Sequence, residues 1–157
     1  MSSTVIKYPA PILKKKTKII KSVTDEHREI LDKMADVMRH NKGIGLAATQ
    51  VGLNVQMAVV DAGEGLLKII NPCITKKYGA NTVEEGCLSI PSVLVKVKRS
   101  KKIELKYIDE WGNQVKKQIS GLTAKAVQHE IDHLNGKLIT DYLPWYKRAF
   151  AKIRDKL

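Results

Sequence analysis

The stretch from Leu122 to Gly136, LTAKAVQHEIDHLNG, decides how this chain is read. It predicts a helix that starts near Leu122 or Thr123 and ends at Asn135-Gly136, a strong carboxyl-terminal stop. Residues four apart share one face of a helix, so His129 and His133 point the same way. Glu130, one residue on, reaches the same space without being a ligand. One helical turn thus offers two imidazoles for a metal and a carboxylate for proton transfer. Two of the chain's four histidines stand in this turn. The plainer alternative is a surface helix with a chance pair of histidines, and it is weighed by asking whether the rest of a site exists.

A catalytic metal site usually has three protein ligands and one open position. After His133 the chain has no further histidine or glutamate, and only Asp141 and Asp155 remain as downstream donors. Upstream, Glu85-Gly86-Cys87-Leu88-Ser89 places a thiol between a glycine and a strand-like run. A thiolate binds soft and borderline metals tightly. The residues therefore point to a Cys87, His129, His133 site with a fourth position for water. A third segment, Gly43-Ile44-Gly45-Leu46-Ala47-Ala48-Thr49-Gln50, lacks the Lys-Ser/Thr of a nucleotide loop, and on its own reads as a turn with small-residue packing.

Outward from these segments, Thr24 to about Asn41 reads as an amphipathic helix. Ile30, Leu31, Met34, Val37 and Met38 form its apolar face, Thr24 caps it, Asp25 and Glu26 suit its positive end, and Gly43 stops it. Val55 to Val60 and Leu66 to Ile70 read as short strands bounded by Gly52, Gly63, Gly65 and Pro72. Ile103 to Ile108 alternates, Asp109 to Asn113 turns, and Val115 to Ile119 returns as a hairpin partner. Pro144-Trp145 opens a last basic helix in which Ala149, Ile153 and Leu157 face the core. Helices and strands without strict βαβ alternation give an α+β fold, and the absence of repeats or linkers gives one domain over residues 1–157.

Composition narrows the class. At 157 residues and 43% apolar content, the chain can bury one core without disulfide staples. Its two cysteines, Cys73 and Cys87, are too few for a disulfide framework, and Cys73 reads as a plain buried thiol. No run approaches the roughly 20 apolar residues that cross a bilayer. MSSTVIKYPAPILKKKTK lacks the apolar segment of a signal peptide, so a cytoplasmic location with no membrane partner is expected. The net charge of +12, from 28 Lys and Arg against 16 Asp and Glu, favours polyanionic surroundings such as nucleic acid or the ribosome.

The segments GIGLAATQ, EGCLS and QHEIDH, in this order, resemble the three signature motifs of the peptide deformylases. The similarity continues through the first helix, Ile70-Asn71-Pro72 before Cys73, and Asp141-Tyr142-Leu143. That resemblance implies short, mainly antiparallel sheets around a central HExxH-bearing helix. It implies removal of the N-formyl group from the initiator methionine of nascent peptides, with release of formate. Cys87, His129 and His133 would hold one divalent ion, Fe²⁺ physiologically, with Zn²⁺, Ni²⁺ or Co²⁺ able to occupy the same ligands. Glu130 would be the general base, and the Gln50 amide and Leu88 N–H would meet the oxyanion. The substrate backbone would lie as an added strand between Ile44-Gly45 and Gly86, with the methionine side chain near Ile44, Leu122 and Ala126. Some bacterial relatives dock at the ribosome through a basic tail helix, and Lys147, Arg148, Lys152, Arg154 and Lys156 keep that charge here. One departure stands out: where the family often has glycine, or a polar loop with arginine, this chain has Ser92-Val93-Leu94-Val95.

Two rival readings use the same residues. An HExxH-type metallopeptidase would take its third ligand downstream. A basic RNA-binding module would use the metal only structurally.

Overall fold

The computed structural model of the protein describes residues 1–148. Helix α1 spans Asp25–His40 and buries Leu31, Met34, Ala35, Val37 and Met38, with Ile30 partly covered. At its start the His27 Nδ1 accepts the Thr24 N–H at 3.1 Å. The stop differs from the expected one. Lys42, not Gly43, takes the left-handed conformation at φ 56°, while the Gly43 N–H returns to Met38 O at 3.0 Å.

Seven strands follow: β1 (Gly45–Ala47), β2 (Met57–Val60), β3 (Leu67–Tyr78), β4 (Asn81–Cys87), β5 (Ile90–Arg99), β6 (Lys102–Ile108) and β7 (Gln114–Ser120). Five make a sheet in the order β1-β2-β3-β6-β7, and β4 and β5 form a separate ribbon; every strand pair is antiparallel. Helix α2 (Gly121–Leu134) lies on the opposite side of the sheet from α1. Alternation along β2 assigns the two faces: Met57 and Val59 join Leu31, Met34 and Met38 of α1, whereas Ala58 and Val60 join Ala124, Ala126 and Val127 of α2. This is the α+β architecture expected.

Strand β3 runs well past its expected end at Ile70. Pro72 has no N–H for the ladder, so the chain makes a bulge: the register jumps from Ile70↔Ile108 to Cys73↔Lys106, with Asn71 at φ 49°. The Asn71 side chain fastens this bend, accepting the Ile20 N–H at 2.9 Å and donating to Ile20 O at 2.7 Å. Cys73, read as buried, is exposed on the strand that continues. The hairpin β6–β7 forms as expected, and Asp109 Oδ1 holds its turn by accepting the N–H groups of Trp111 and Asn113 at 2.9 and 2.8 Å. The ribbon β4–β5 was not anticipated; its Ile90, Val95 and Val97 pack on Leu13, Leu138 and Ile139. The backbone is helical over 145–148, and the expected core contacts of Ala149, Ile153 and Leu157 lie outside the described residues.

The end of α2 is fixed against the amino-terminal segment. Gly136 has φ 73°, and a Cβ there would collide with the carbonyl oxygen of Lys14. Gly136→Ala therefore combines left-handed strain with a clash against backbone, and is expected to destabilise the fold by about 2 kcal/mol or more. Thermal unfolding would show this as a drop of roughly 5 °C or more; an unchanged midpoint would mean that the Lys14 segment yields freely.

Candidate metal centre

Helix α2 presents His129 and His133 on one face, and β4 ends at Cys87 beside them. The candidate donor atoms of Cys87, His129 and His133 all lie within 4.8 Å of one another, with Cys87 Sγ 3.2 Å from His133 Nε2. Metal–sulfur bonds of about 2.3 Å and metal–nitrogen bonds of about 2.0–2.1 Å in a tetrahedron separate donors by roughly 3–4 Å. The three side chains therefore fit a single ion. His129 Nδ1 is 3.1 Å from Glu85 Oε2, which leaves Nε2 for the centre, the usual arrangement of a ligating imidazole.

Behind this face lies a buried ionic network. The Arg99 side chain is 4% exposed. Its Nε and Nη2 donate to the two oxygens of Glu85 at 2.7 and 2.9 Å, and its Nη1 donates to Asp132 Oδ2 at 2.7 Å. The Tyr142 hydroxyl donates to the same Asp132 oxygen at 2.7 Å. Burial opposes ionisation of Glu85, but the bonds from Arg99 and His129 outweigh it and hold the carboxyl at about 2. Burial also disfavours an imidazolium at His129, yet Cys87 and Glu85 more than offset this and draw its proton affinity upward. Glu85 and Cys87 thus favour positive charge at His129, whereas burial keeps His133 well below the usual imidazole range, as an uncharged ring.

Glu130 is 3% exposed, and its Oε2 has no hydrogen-bond partner among the described residues. Burial is the main cause that pushes its carboxyl up to about 7. Edge strand β1 lies directly against it, since a Cβ on Gly45 would collide with Glu130 Oε1. A larger residue at position 45 would therefore push that carboxylate from its place. Gln50 is oriented by the Ala47 N–H, which its Oε1 accepts at 2.8 Å. Its Nε2 is thereby turned to Ser89 Oγ at 3.1 Å and towards Cys87 Sγ at 3.8 Å. Leu88 sits in the turn between β4 and β5, with its carbonyl held by Lys7 Nζ at 2.6 Å.

Gln50, Glu85, Cys87, Leu88, His129 and Glu130 all line one cleft of about 470 Å³, walled also by Ile44, Gly45, Gly86, Leu122 and Ala126, with Arg99, Asp132 and Tyr142 behind it. His133 lies beneath it, 1% exposed. Sequence reasoning missed Arg99, Asp132, Tyr142 and Ser89 as supporting groups. Glu85 and Asp132 stood inside the quoted motifs, but nothing local ties either to Arg99, which lies 14 positions from Glu85 and 33 from Asp132.

The family model described as polypeptide deformylase matches residues 2–149 of this chain. The chain is similar to the peptide deformylase of Alkalilimnicola ehrlichii, 44% identical over 157 residues, covering 98% of this chain and 87% of that one. It is 45% identical over 130 residues to the peptide deformylase of Pelotomaculum thermopropionicum, covering 83% and 84% of the two chains. Among solved structures, the peptide deformylase of Ehrlichia chaffeensis in complex with actinonin superimposes with a TM-score of 0.93 at 34% identity, over 99% of this chain and 98% of that one. The enzyme from Legionella pneumophila gives 0.89 at 35% identity, over 97% and 92%.

The Glu85 bond to His129 has a measurable consequence. Glu85→Gln keeps the side chain's shape but removes the charge that favours a cation at His129. Metal affinity is expected to fall about 10- to 100-fold, read by competition with a chromogenic chelator. Unchanged affinity would remove Glu85 from the support of the centre.

Proposed function

This chain belongs to the polypeptide deformylase family, and on that premise we propose how its own residues divide the work of the reaction. It is a metal-dependent hydrolase that removes the N-formyl group from the N-terminal methionine of newly synthesised polypeptides and releases formate. The observation that carries the residue assignment is the convergence of three donors within 4.8 Å beside a buried, unpartnered carboxylate. Cys87, His129 and His133 hold the ion. Membership of the family points to Fe²⁺ as the physiological metal, and one thiolate with two imidazoles can equally take Zn²⁺, Ni²⁺ or Co²⁺. When bound, the ion polarises the formyl carbonyl and lowers the pKa of the attacking water.

The remaining steps belong to the protein. Glu130 accepts a proton from the attacking water and delivers it to the leaving amine, and a carboxyl near 7 suits both directions at neutral pH. Gln50 Nε2 and the Leu88 N–H donate to the oxyanion that forms on the formyl carbon. The substrate backbone enters as a strand between two open edges. β1 is the last strand of its sheet, and β4 pairs only with β5 among the described residues. Main-chain bonds to Ile44, Gly45 and Gly86 bind the common part of every nascent chain, and the methionine side chain lies against Ile44, Leu122 and Ala126.

The same reading places one catalytic domain over residues 1–157 in the cytoplasm, acting on chains as they leave the ribosome. Contact with the ribosome through the basic carboxyl-terminal segment begins at Lys147 and Arg148. Arg148 is itself engaged by Leu143 O and Asp141 O, and Lys152, Arg154 and Lys156 lie outside the described residues. No helix among the described residues is long and apolar enough to cross a membrane. A metallopeptidase with a downstream ligand is not favoured, because Asp141 is committed to Lys14 Nζ, at 2.6 Å, and to the Leu138 N–H, at 2.8 Å.

Formate release from an N-formyl-Met peptide, by protein purified anaerobically or reconstituted with nickel, tests the assignment. Glu130→Ala is expected to retain its metal and lose about 100- to 10,000-fold in rate. Gln50→Leu is expected to lose about 100- to 1000-fold, and Cys87→Ser to lose the metal itself. Full metal content in the Cys87 variant would overturn the ligand set. Co-sedimentation with ribosomes, with and without residues 145–157, tests the tail; equal binding would remove it as the contact.

A further inference from the structure

Three large apolar side chains stand exposed around the mouth of the cleft. Ile44 is 42% exposed, Leu122 53% and Leu94 65%. They come from three separate walls: the segment entering β1, the first turn of α2, and β5. Exposed leucine is common singly, but three around one opening form a patch that has a use.

Leu94 is put there by an irregularity in the ribbon. Between the pairs Glu85↔Val95 and Cys87↔Ile90, one residue of β4, Gly86, faces residues 91–94 of β5. The surplus length is taken up in a bend where Ser92 adopts φ 62°, a conformation unfavourable for a residue other than glycine. Bulges beside functional sites re-aim side chains, and this one carries Leu94 over the Gly86 backbone. Leu94 Cδ2 stands 3.4 Å from where a Cβ of Gly86 would be. The isobutyl group thus lies over the face of the ribbon at Gly86 and lines the cleft that the substrate strand enters, and what it can be buried against there is a bound peptide. The charged groups on the same rim are Lys42, Glu84 and Lys125, of both signs, so no single charge dominates the opening.

We propose that Leu94 is a specificity-determining residue: standing across the mouth from Ile44 and Leu122, which face the methionine, it extends the apolar collar outward and favours nascent chains carrying apolar side chains at the second and third positions, after the formyl-methionine. This rests on the deformylase reading and deepens it. An extended strand advances about 3.3 Å per residue and alternates its side chains, so two residues beyond the methionine pass through the mouth and offer one side chain to each side. Burying part of an aliphatic side chain against such a collar corresponds to roughly five- to tenfold in kcat/KM.

The test is a matched series of formyl-Met peptides with Leu, Ser, Asp or Lys at the second and third positions, assayed by formate release. The same series without the formyl group, used as competitive inhibitors, gives a second readout by Ki. The wild-type chain is expected to favour the leucine peptide over the serine peptide roughly five- to tenfold. Leu94→Ser should compress that ratio to about twofold or less in both kcat/KM and Ki, and Leu94→Met should restore it. Because Leu94 is exposed, neither change removes core packing. A flat wild-type series, a preference for Asp or Lys peptides, or a ratio unaltered by Leu94→Ser would overturn the proposal while leaving deformylation intact. Absence of formate release from every peptide would overturn the activity beneath it as well.

Discussion

One buried guanidinium holds the catalytic half of this molecule together. Arg99 leaves the end of β5, grips both oxygens of Glu85 on β4, and reaches Asp132 on α2. These three elements carry the whole proposed ligand set, since Cys87 ends β4 and both histidines lie on α2. A two-stranded ribbon is marginal by itself. Apolar packing on Leu13, Leu138 and Ile139 attaches it to the body, but such packing is non-directional. The bidentate fork supplies the direction that packing lacks. Bringing a charge into the interior costs several kcal/mol unless partners recover it; here two carboxylates and the Tyr142 hydroxyl surround the guanidinium. The benefit of such a network lies in geometry, because a cysteine and two histidines share an ion only when set within tenths of an ångström.

The same economy governs the approach of β1 to α2. The sheet edge lies so close to Glu130 that a Cβ at position 45 would displace its carboxylate. Packing a backbone against a carboxylate removes water from it, and that burial is the main reason its proton affinity rises to about 7. Gly45 thus lets a backbone strand cover a carboxylate that a larger residue there would have to displace. Gln50 is set by a similar local device. Its carbonyl oxygen is taken by the Ala47 N–H, so its amide hydrogens turn to Ser89 Oγ and the Cys87 thiol.

What could be read from the sequence follows the range of the interactions involved. The four-residue spacing of His129 and His133 works through the helix alone, and the β6–β7 hairpin through its own alternation and the Asp109 turn; both were legible. Cys87 came from elimination among donors and from the motif's resemblance to a family. The extension of β3 through Pro72 was not legible, because the Asn71 clamp on Ile20 joins residues 51 positions apart. Arg99 read as one more basic residue in a lysine-rich run, and only tertiary pairing distinguishes it from Lys98 or Lys101. The stop of α1 was misplaced by one residue because glycine is the usual left-handed cap. In this chain Lys42 takes that conformation, and Gly43 instead lies against Leu88, whose Cδ1 would be 2.7 Å from an added Cβ.

The two free strand edges beside the cleft raise a question of their own. An unpaired edge invites pairing with any extended chain, and folded proteins usually blunt or cover it. Here both edges are kept, yet each is restricted. β1 is three residues long, and β4 ends in the tight turn at Leu88-Ser89 after its bulge at Gly86. β1 is too short for the long ladder that a second copy of the chain needs, but a short strand entering from the solvent can pair with both edges at once.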